Sequence, residues 1–131
     1  MNLLLDANAL LWWWDGSKKL GPRARALIER DAADVRVSAV TAWEIAIKFQ
    51  AGRLSLPAPV EHLIPATLDD SGFRALAISL DHALAAATLP DHHDDPFDRL
   101  LIAQARLENL TIVTSDMVFD DYDVKVLDAR R

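Results

Sequence analysis

At 131 residues the chain has the length of one domain, enough to bury a real hydrophobic core. Its 51% hydrophobic and 26% charged residues exclude a disordered polymer, and the lack of cysteine excludes disulfides and thiolate metal sites. A formal charge of −6, from 14 Lys and Arg against 20 Asp and Glu, argues against a nucleic-acid binder that relies on a basic excess.

The opening "MNLLLDANALLWWWDG" is apolar but lacks a basic leader and is interrupted by Asp6, so neither a signal peptide nor a membrane span is expected. A cytoplasmic location is the expectation. "NLLL" (2–5) reads as a buried parallel strand ending at Asp6, and "ANALLWWW" (7–14) as a helix closed by Asp15-Gly16. Trp12, Trp13 and Trp14 lie about 100° apart on such a helix. They cannot all enter one core, so at least one is expected at the surface or an interface. Pro22 opens a helix over 22–33. "VRVSAV" (35–40) alternates as a strand, and 41–52 is a helix ended by Gly52. Residues 58–72 read as a helix interrupted by Pro65, 73–79 as a strand and 80–89 as a short helix. "PFDRLLIAQARLEN" (96–109) is a strong helix, and 110–116 and 122–128 are strands. Alternating β and α units of this length predict a single α/β domain over 1–131, three-layered, with a central parallel sheet of about five strands.

Open α/β sheets bind ligands at the carboxyl ends of their strands. Asp6 ends the first strand, Asp116 follows "LTIVT", and Glu44 sits in the first turn of the helix after "VRVSAV". Asp95 and Asp98 open the helix that leads into the strand before Asp116. Separated parts of the chain thus bring carboxylates to one rim, where two unit charges roughly 4 Å apart repel by about 4 kcal/mol at an effective dielectric near 20. A divalent cation removes that cost, and oxygen ligands favour Mg²⁺ or Mn²⁺ over zinc.

Each acid has a local structural explanation as well. Asp95 before Pro96 reads as an N-cap, with Asp98 at N3 favouring the helix dipole. Glu44 fits the last position of a Thr41-x-x-Glu44 capping box. Asp116 reads equally as a turn residue. Asp6 gains little structurally after a buried run unless it caps the next helix. His92 and His93 have no partner at zinc-finger or HExxH spacing and read as loop residues beside the rim.

"LLLDANALLWWW", "VSAVTAWEIAIK", "DDPFDRLLIAQA" and "TIVTSD" together resemble the PIN-domain ribonucleases, specifically the VapC-like toxins of bacterial type II toxin–antitoxin pairs. The resemblance spans essentially the whole chain. It implies an endoribonuclease whose metal-binding acidic quartet matches Asp6, Glu44, Asp98 and Asp116, with Asp95 a weaker candidate because capping already explains it. It implies one or two Mg²⁺ ions, with Mn²⁺ as a substitute, that activate water and neutralise the scissile phosphate. RNA as substrate, a cognate antitoxin and a homodimer are the partners it implies. Many relatives carry a hydroxyl residue after the first Asp, where this chain has Ala7; Asn8 is the polar neighbour left to orient Asp6 or water. Arg99 reads either as a phosphate contact or as a surface charge paired with an acid. The basic residues of "KKLGPRAR" (18–25), with Lys48 and Arg53, are expected to flank the groove and hold phosphates.

Rival readings fail on particular residues. A receiver-like signalling module needs a phosphorylatable Asp after the third strand, and Asp81 reads there as part of a helix start. A haloacid-dehalogenase-type phosphatase needs Asp where Asn8 stands. The remaining alternative is a catalytically inactive PIN-like module that binds RNA or a partner, against which the complete quartet speaks.

Overall fold

A computed structural model describes residues 1–131. Strand β1 (Asn2–Leu5) is apolar after Asn2, and Leu3, Leu4 and Leu5 are all fully buried. Successive strand side chains point to opposite faces, so an unbroken leucine run needs cover on both. Helices α1 (Ala7–Asp15) and α2 (Pro22–Glu29) lead to β2 (Asp34–Ser38), and α3 (Ala39–Gln50) and α4 (Val60–Ser71) lead to β3 (Arg74–Leu76). Then α5 (Leu80–Ala87) and α6 (Pro96–Glu108) return the chain to β4 (Thr111–Thr114), and a 3₁₀ turn (Met117–Asp121) precedes β5 (Lys125–Asp128). All strands pair in parallel in the order β3-β2-β1-β4-β5.

Leu3, Leu5 and Val113 pack with Leu10, Ala24, Ile28, Ile45 and Val60 on one face of the sheet. Leu4 and Ile112 pack with Leu101, Ile102, Ala105 and Phe119 on the other. The result is the expected three-layer α/β/α arrangement. The chain runs outward from β1 to β2 and β3, then crosses back to lay β4 on the free side of β1. Connections therefore leave the β1–β4 pair in opposite directions, and a crevice opens at the carboxyl ends of those two strands.

Several boundaries differ from the sequence reading. Helix α3 begins at Ala39, and its N-cap is Ser38, whose hydroxyl accepts from Val40 N at 3.0 Å. The strand "VRVSAV" is thus two residues shorter, and the proposed Thr41–Glu44 capping box does not form. Thr41 is fully inside the helix, donating to Leu5 O at 3.5 Å, and Glu44 lies in the second turn rather than the first. Pro65 does not interrupt α4, which continues through it to Gly72, a C-cap with φ of 71°. The predicted strand over 73–79 shrinks to the edge strand β3, because Ser79 leaves the sheet to cap α5 by accepting from His82 N at 3.1 Å. None of the three consecutive tryptophans is exposed: each is half-buried. Trp12 and Trp13 pack on the core, with Trp13 Nε1 donating to Ser71 Oγ at 3.0 Å, and Trp14 lies against Leu10, Leu63 and Ile64. Helices flanking α1 on more than one side cover all three, which the helix's own periodicity does not reveal. No helix is long and apolar enough to cross a membrane.

A buried polar network ties α6 to the start of α3. Gln104 is fully buried; its Oε1 accepts from the Ser38 hydroxyl at 2.5 Å and its Nε2 donates to Ala77 O at 3.2 Å. Replacing the amide by a similar apolar volume leaves the Ala77 carbonyl and the Ser38 hydroxyl proton without partners, at a cost of about 1–3 kcal/mol. Gln104→Leu is therefore expected to lower the urea midpoint accordingly, and a midpoint equal to that of the unmodified protein would show that the network contributes nothing.

Candidate active site

The crevice at the β1–β4 switch point is a cavity of about 190 Å³ lined by Asp6, Ala7, Asn8, Glu44, Lys48, Asp95, Asp98, Asp116 and Phe119. Every residue that the sequence nominates lines it except Arg99. Asp6 is held from two sides. Its backbone N–H donates to Val113 O at 3.1 Å, fastening it to β4, and its Oδ1 accepts from Ala9 N at 2.8 Å as the N-cap of α1. Asn8 follows in the first turn of α1 and is exposed toward the cavity.

Asp95 caps α6, its Oδ1 accepting from Phe97 N at 2.9 Å, and Asp98 stands at N3 as expected. Asp116 caps the 3₁₀ turn, its Oδ1 accepting from Val118 N at 3.1 Å, while its own N–H donates to Thr114 Oγ1 at 3.0 Å. Glu44 reaches the cavity from α3 and accepts from Lys48 Nζ at 2.8 Å, one helical turn further on. Five carboxylates from four parts of the chain thus meet in one crevice.

Their electrostatics show the crowding. Burial pushes the Asp6 carboxyl up to about 6, and the charges of Glu44 and Asp116 push the same way, against hydrogen bonds from Thr114 and Ala9. Asp98 is also raised to about 6, mainly by burial; the bond from His93 opposes this, and Asp95 and Glu44 reinforce it. A His93 ring nitrogen, Nε2, lies 2.6 Å from Asp98 Oδ2, and this contact raises the histidine above its ordinary value. The ligand atoms of His93, Asp98 and Asp116 all lie within 4.8 Å of one another. His93 is thus part of the site, which the sequence does not disclose. Its only cue is the crowding of "HHDDPFD" itself. His92 is turned elsewhere, with its ring edge-on to Tyr122 at 5.2 Å.

Arg99 fits neither of its expected roles. Its guanidinium donates to four backbone carbonyls, those of Ala86 (2.9 Å), Leu89 (3.0 Å), Pro90 (3.0 Å) and His93 (3.3 Å). With its donors spent on these carbonyls it is neither a phosphate contact nor a partner of an acid. It fixes the loop that carries His93.

The chain matches the PIN domain family model over residues 3–125. It belongs to the PIN-domain family. Ribonuclease VapC22 of Mycobacterium tuberculosis is 30% identical over 115 residues, covering 87% of this chain and 86% of the relative. The structure of VapBC2 from Rickettsia felis bound to a promoter DNA fragment superposes with a TM-score of 0.71 at 15% identity, over 97% of this chain and 98% of that one. A toxin–antitoxin complex from Klebsiella pneumoniae gives 0.66 at 20% identity, over 97% of each chain. At these identities the structural likenesses establish the fold. Nucleases of this family generally use divalent metals, and the donor set fits such an ion. Carboxylate oxygens dominate the cavity, and their raised pKa values mark charge that a cation would relieve.

The raised value on Asp6 has a direct consequence for stability. An unfolded Asp side chain titrates near 3.8 and the folded one near 6, so the folded state takes up a proton between those values. Stability of the metal-free protein therefore rises as pH falls through about 6 toward 4, and its ionised Asp6 costs roughly 2–3 kcal/mol at pH 7. Because Asn caps about as well as Asp, Asp6→Asn is expected to raise the pH 7 melting temperature in chelator and to flatten its pH dependence between 4 and 7. A mutant less stable at pH 7 would show that the carboxylate is not under electrostatic strain.

Proposed function

We propose that this chain is a divalent-metal-dependent endoribonuclease and the toxin of a toxin–antitoxin pair. The observation that carries this reading is the meeting of Asp6, Glu44, Asp98 and Asp116 in one crevice, with Asp6 and Asp98 both pushed up by burial and mutual repulsion. The family assignment and the named ribonuclease relative support the chemistry. The toxin–antitoxin complex among similar structures supports an antitoxin partner, and the resemblance extends the proposal to a homodimer.

Asp6, Asp98 and Asp116 are the proposed direct ligands, and Glu44 a ligand or the group that orients the attacking water. Mg²⁺, or Mn²⁺ in its place, supplies when bound a lowered pKa for water and neutralisation of charge on the scissile phosphate. Lys48 balances Glu44 and brings a positive charge to the wall of the cavity where a phosphate oxygen would approach. His93 holds Asp98 through one oxygen and orients the other. Asn8 offers an amide beside Asp6 where relatives place a hydroxyl. Asp95 supports the site chiefly by starting α6 at the right place.

Two outcomes test the assignment. Purified protein is expected to cleave susceptible RNA with Mg²⁺ or Mn²⁺, to stop in EDTA, and to arrest bacterial growth on expression; cleavage undiminished by chelator would overturn the metal mechanism. Among variants, Asp6→Asn and Asp98→Asn should lose more activity than the roughly 10–100-fold typical of groups outside a metal's direct ligands. Asp95→Asn retains an N-cap acceptor and should lose about tenfold or less. The reverse ranking of Asp95 and Asp98 would exchange their roles.

A further inference from the structure

Trp43 is the most exposed aromatic side chain near the crevice, with 60% of its surface open, although it belongs to a helix whose other face is buried. A single exposed apolar residue needs no explanation in itself. Its setting does. Trp43 directly precedes Glu44, and the half-buried Phe97 directly precedes Asp98, so each ring stands beside a carboxylate of the cavity. The two rings meet edge-to-face across α3 and α6, with centroids 5.2 Å apart and planes at 78°. Phe97 is anchored by packing on the α6 core, and its contact steadies the indole while leaving most of it open to solvent.

We propose that Trp43, braced by Phe97, is a stacking platform for an unpaired nucleobase next to the scissile phosphate. This rests on the ribonuclease reading and specifies its substrate class as single-stranded RNA. Three observations favour a base over other occupants. The platform is continuous with the cavity, so a chain whose phosphate enters the acidic crevice places a neighbouring base at its rim. Lys48 lies on the same helix, on the cavity wall, where it meets the backbone of such a chain. Finally, the net charge of −6 deprives the protein of the phosphate attraction that usually dominates affinity for nucleic acid. Stacking does not depend on net charge, and every base offers a π-face to an aromatic ring. Bases in a duplex are already stacked on one another, so the platform selects unpaired segments.

The test uses Asp6→Asn protein in Mg²⁺, so that RNA is bound without turnover, and a fluorescein-labelled single-stranded oligoadenylate of about ten nucleotides as probe. Anisotropy gives Kd for this parent and for the same protein carrying Trp43→Phe, Trp43→Leu or Trp43→Ala. Loss of stacking on one base weakens binding at least about fivefold. Trp43→Leu and Trp43→Ala are expected to show that loss, while Trp43→Phe stays close to the parent and a duplex of equal length binds poorly to all. Leucine keeps the apolar character but has no π-face, so binding retained within about twofold in Trp43→Leu would overturn the platform alone. Light scattering covers the competing occupant. If Trp43→Leu and Trp43→Ala change the oligomeric state while RNA affinity is unchanged, the indole belongs to an interface between copies and the proposal fails. A parent that binds no single-stranded RNA at all would overturn the platform together with the ribonuclease reading.

Discussion

The hydrogen bond from the Asp6 amide to Val113 O, at 3.1 Å, is the point from which the site is built. It continues the parallel pairing of β1 and β4 one residue past the end of β1. Asp6 is thereby set beside the residues that lead to Asp116. Thr114 links the two acids, its Oγ1 accepting from Asp116 N while its hydroxyl favours the ionised form of Asp6. From the other side, Thr41 fastens α3 to the carbonyl of Leu5, the last residue of β1, and so delivers Glu44. The return crossover through α6 then brings Asp98 in with its helix start. Had β4 paired on the far edge of the sheet, these acids would be strands apart.

Capping and ligation, which seem to compete when each acid is read alone, are compatible in the folded protein. A carboxylate has two oxygens and several lone pairs. Asp6, Asp95 and Asp116 each give Oδ1 to a backbone N–H of the element they open. That bond fixes the rotamer and leaves Oδ2 free of backbone partners. Each cap therefore orients a second oxygen, and ordering of the acid comes from local secondary structure before any cation contributes. Glu44 and Asp98 are ordered differently, through side-chain cations: Lys48 at 2.8 Å and His93 at 2.6 Å. Asp6 has no such partner among the ion pairs, and it is the acid in the most desolvated position. The strongest demand for external positive charge thus falls at the centre of the crevice.

The alternation of apolar strands with amphipathic helices is a local signal, and it was legible: the layers, the number of strands and the parallel sheet all follow from it. The acid cluster was legible because strand ends in such a sheet share one edge. The failures have a common cause in side chains that act over longer distances. Ser38 reads as a strand residue within the alternating "VRVSAV", yet Gln104, 66 residues away, holds its hydroxyl and allows it to cap α3. That shift of two residues moved Glu44 out of a capping box and into the second turn. Arg99 looks like a surface charge because nothing in the sequence says that carbonyls of the loop over 86–93 will converge on it. His93 belongs to the site only because that loop is so fixed. Trp12 to Trp14 were misread for a related reason: a helix can be covered on several faces when its neighbours supply more than one layer.

The same contacts revise how an acidic chain can handle a polyanion. Several cations that a sequence would assign to phosphates are engaged within the fold. Arg99 is spent on backbone carbonyls, Arg25 lies over the Trp13 ring and donates to Ser17 O, and Arg36 and Arg74 both grip Asp34. Lys48 remains at the cavity but is shared with Glu44. Attraction by bulk positive charge is therefore weak, and recognition has to be concentrated at the crevice itself. There a divalent ion reverses the sign of the local field for the phosphate it meets, while aromatic surface at the rim attracts bases irrespective of charge. Under this division the acidic cluster is also a filter: without its cation it repels the very backbone that it is proposed to cut.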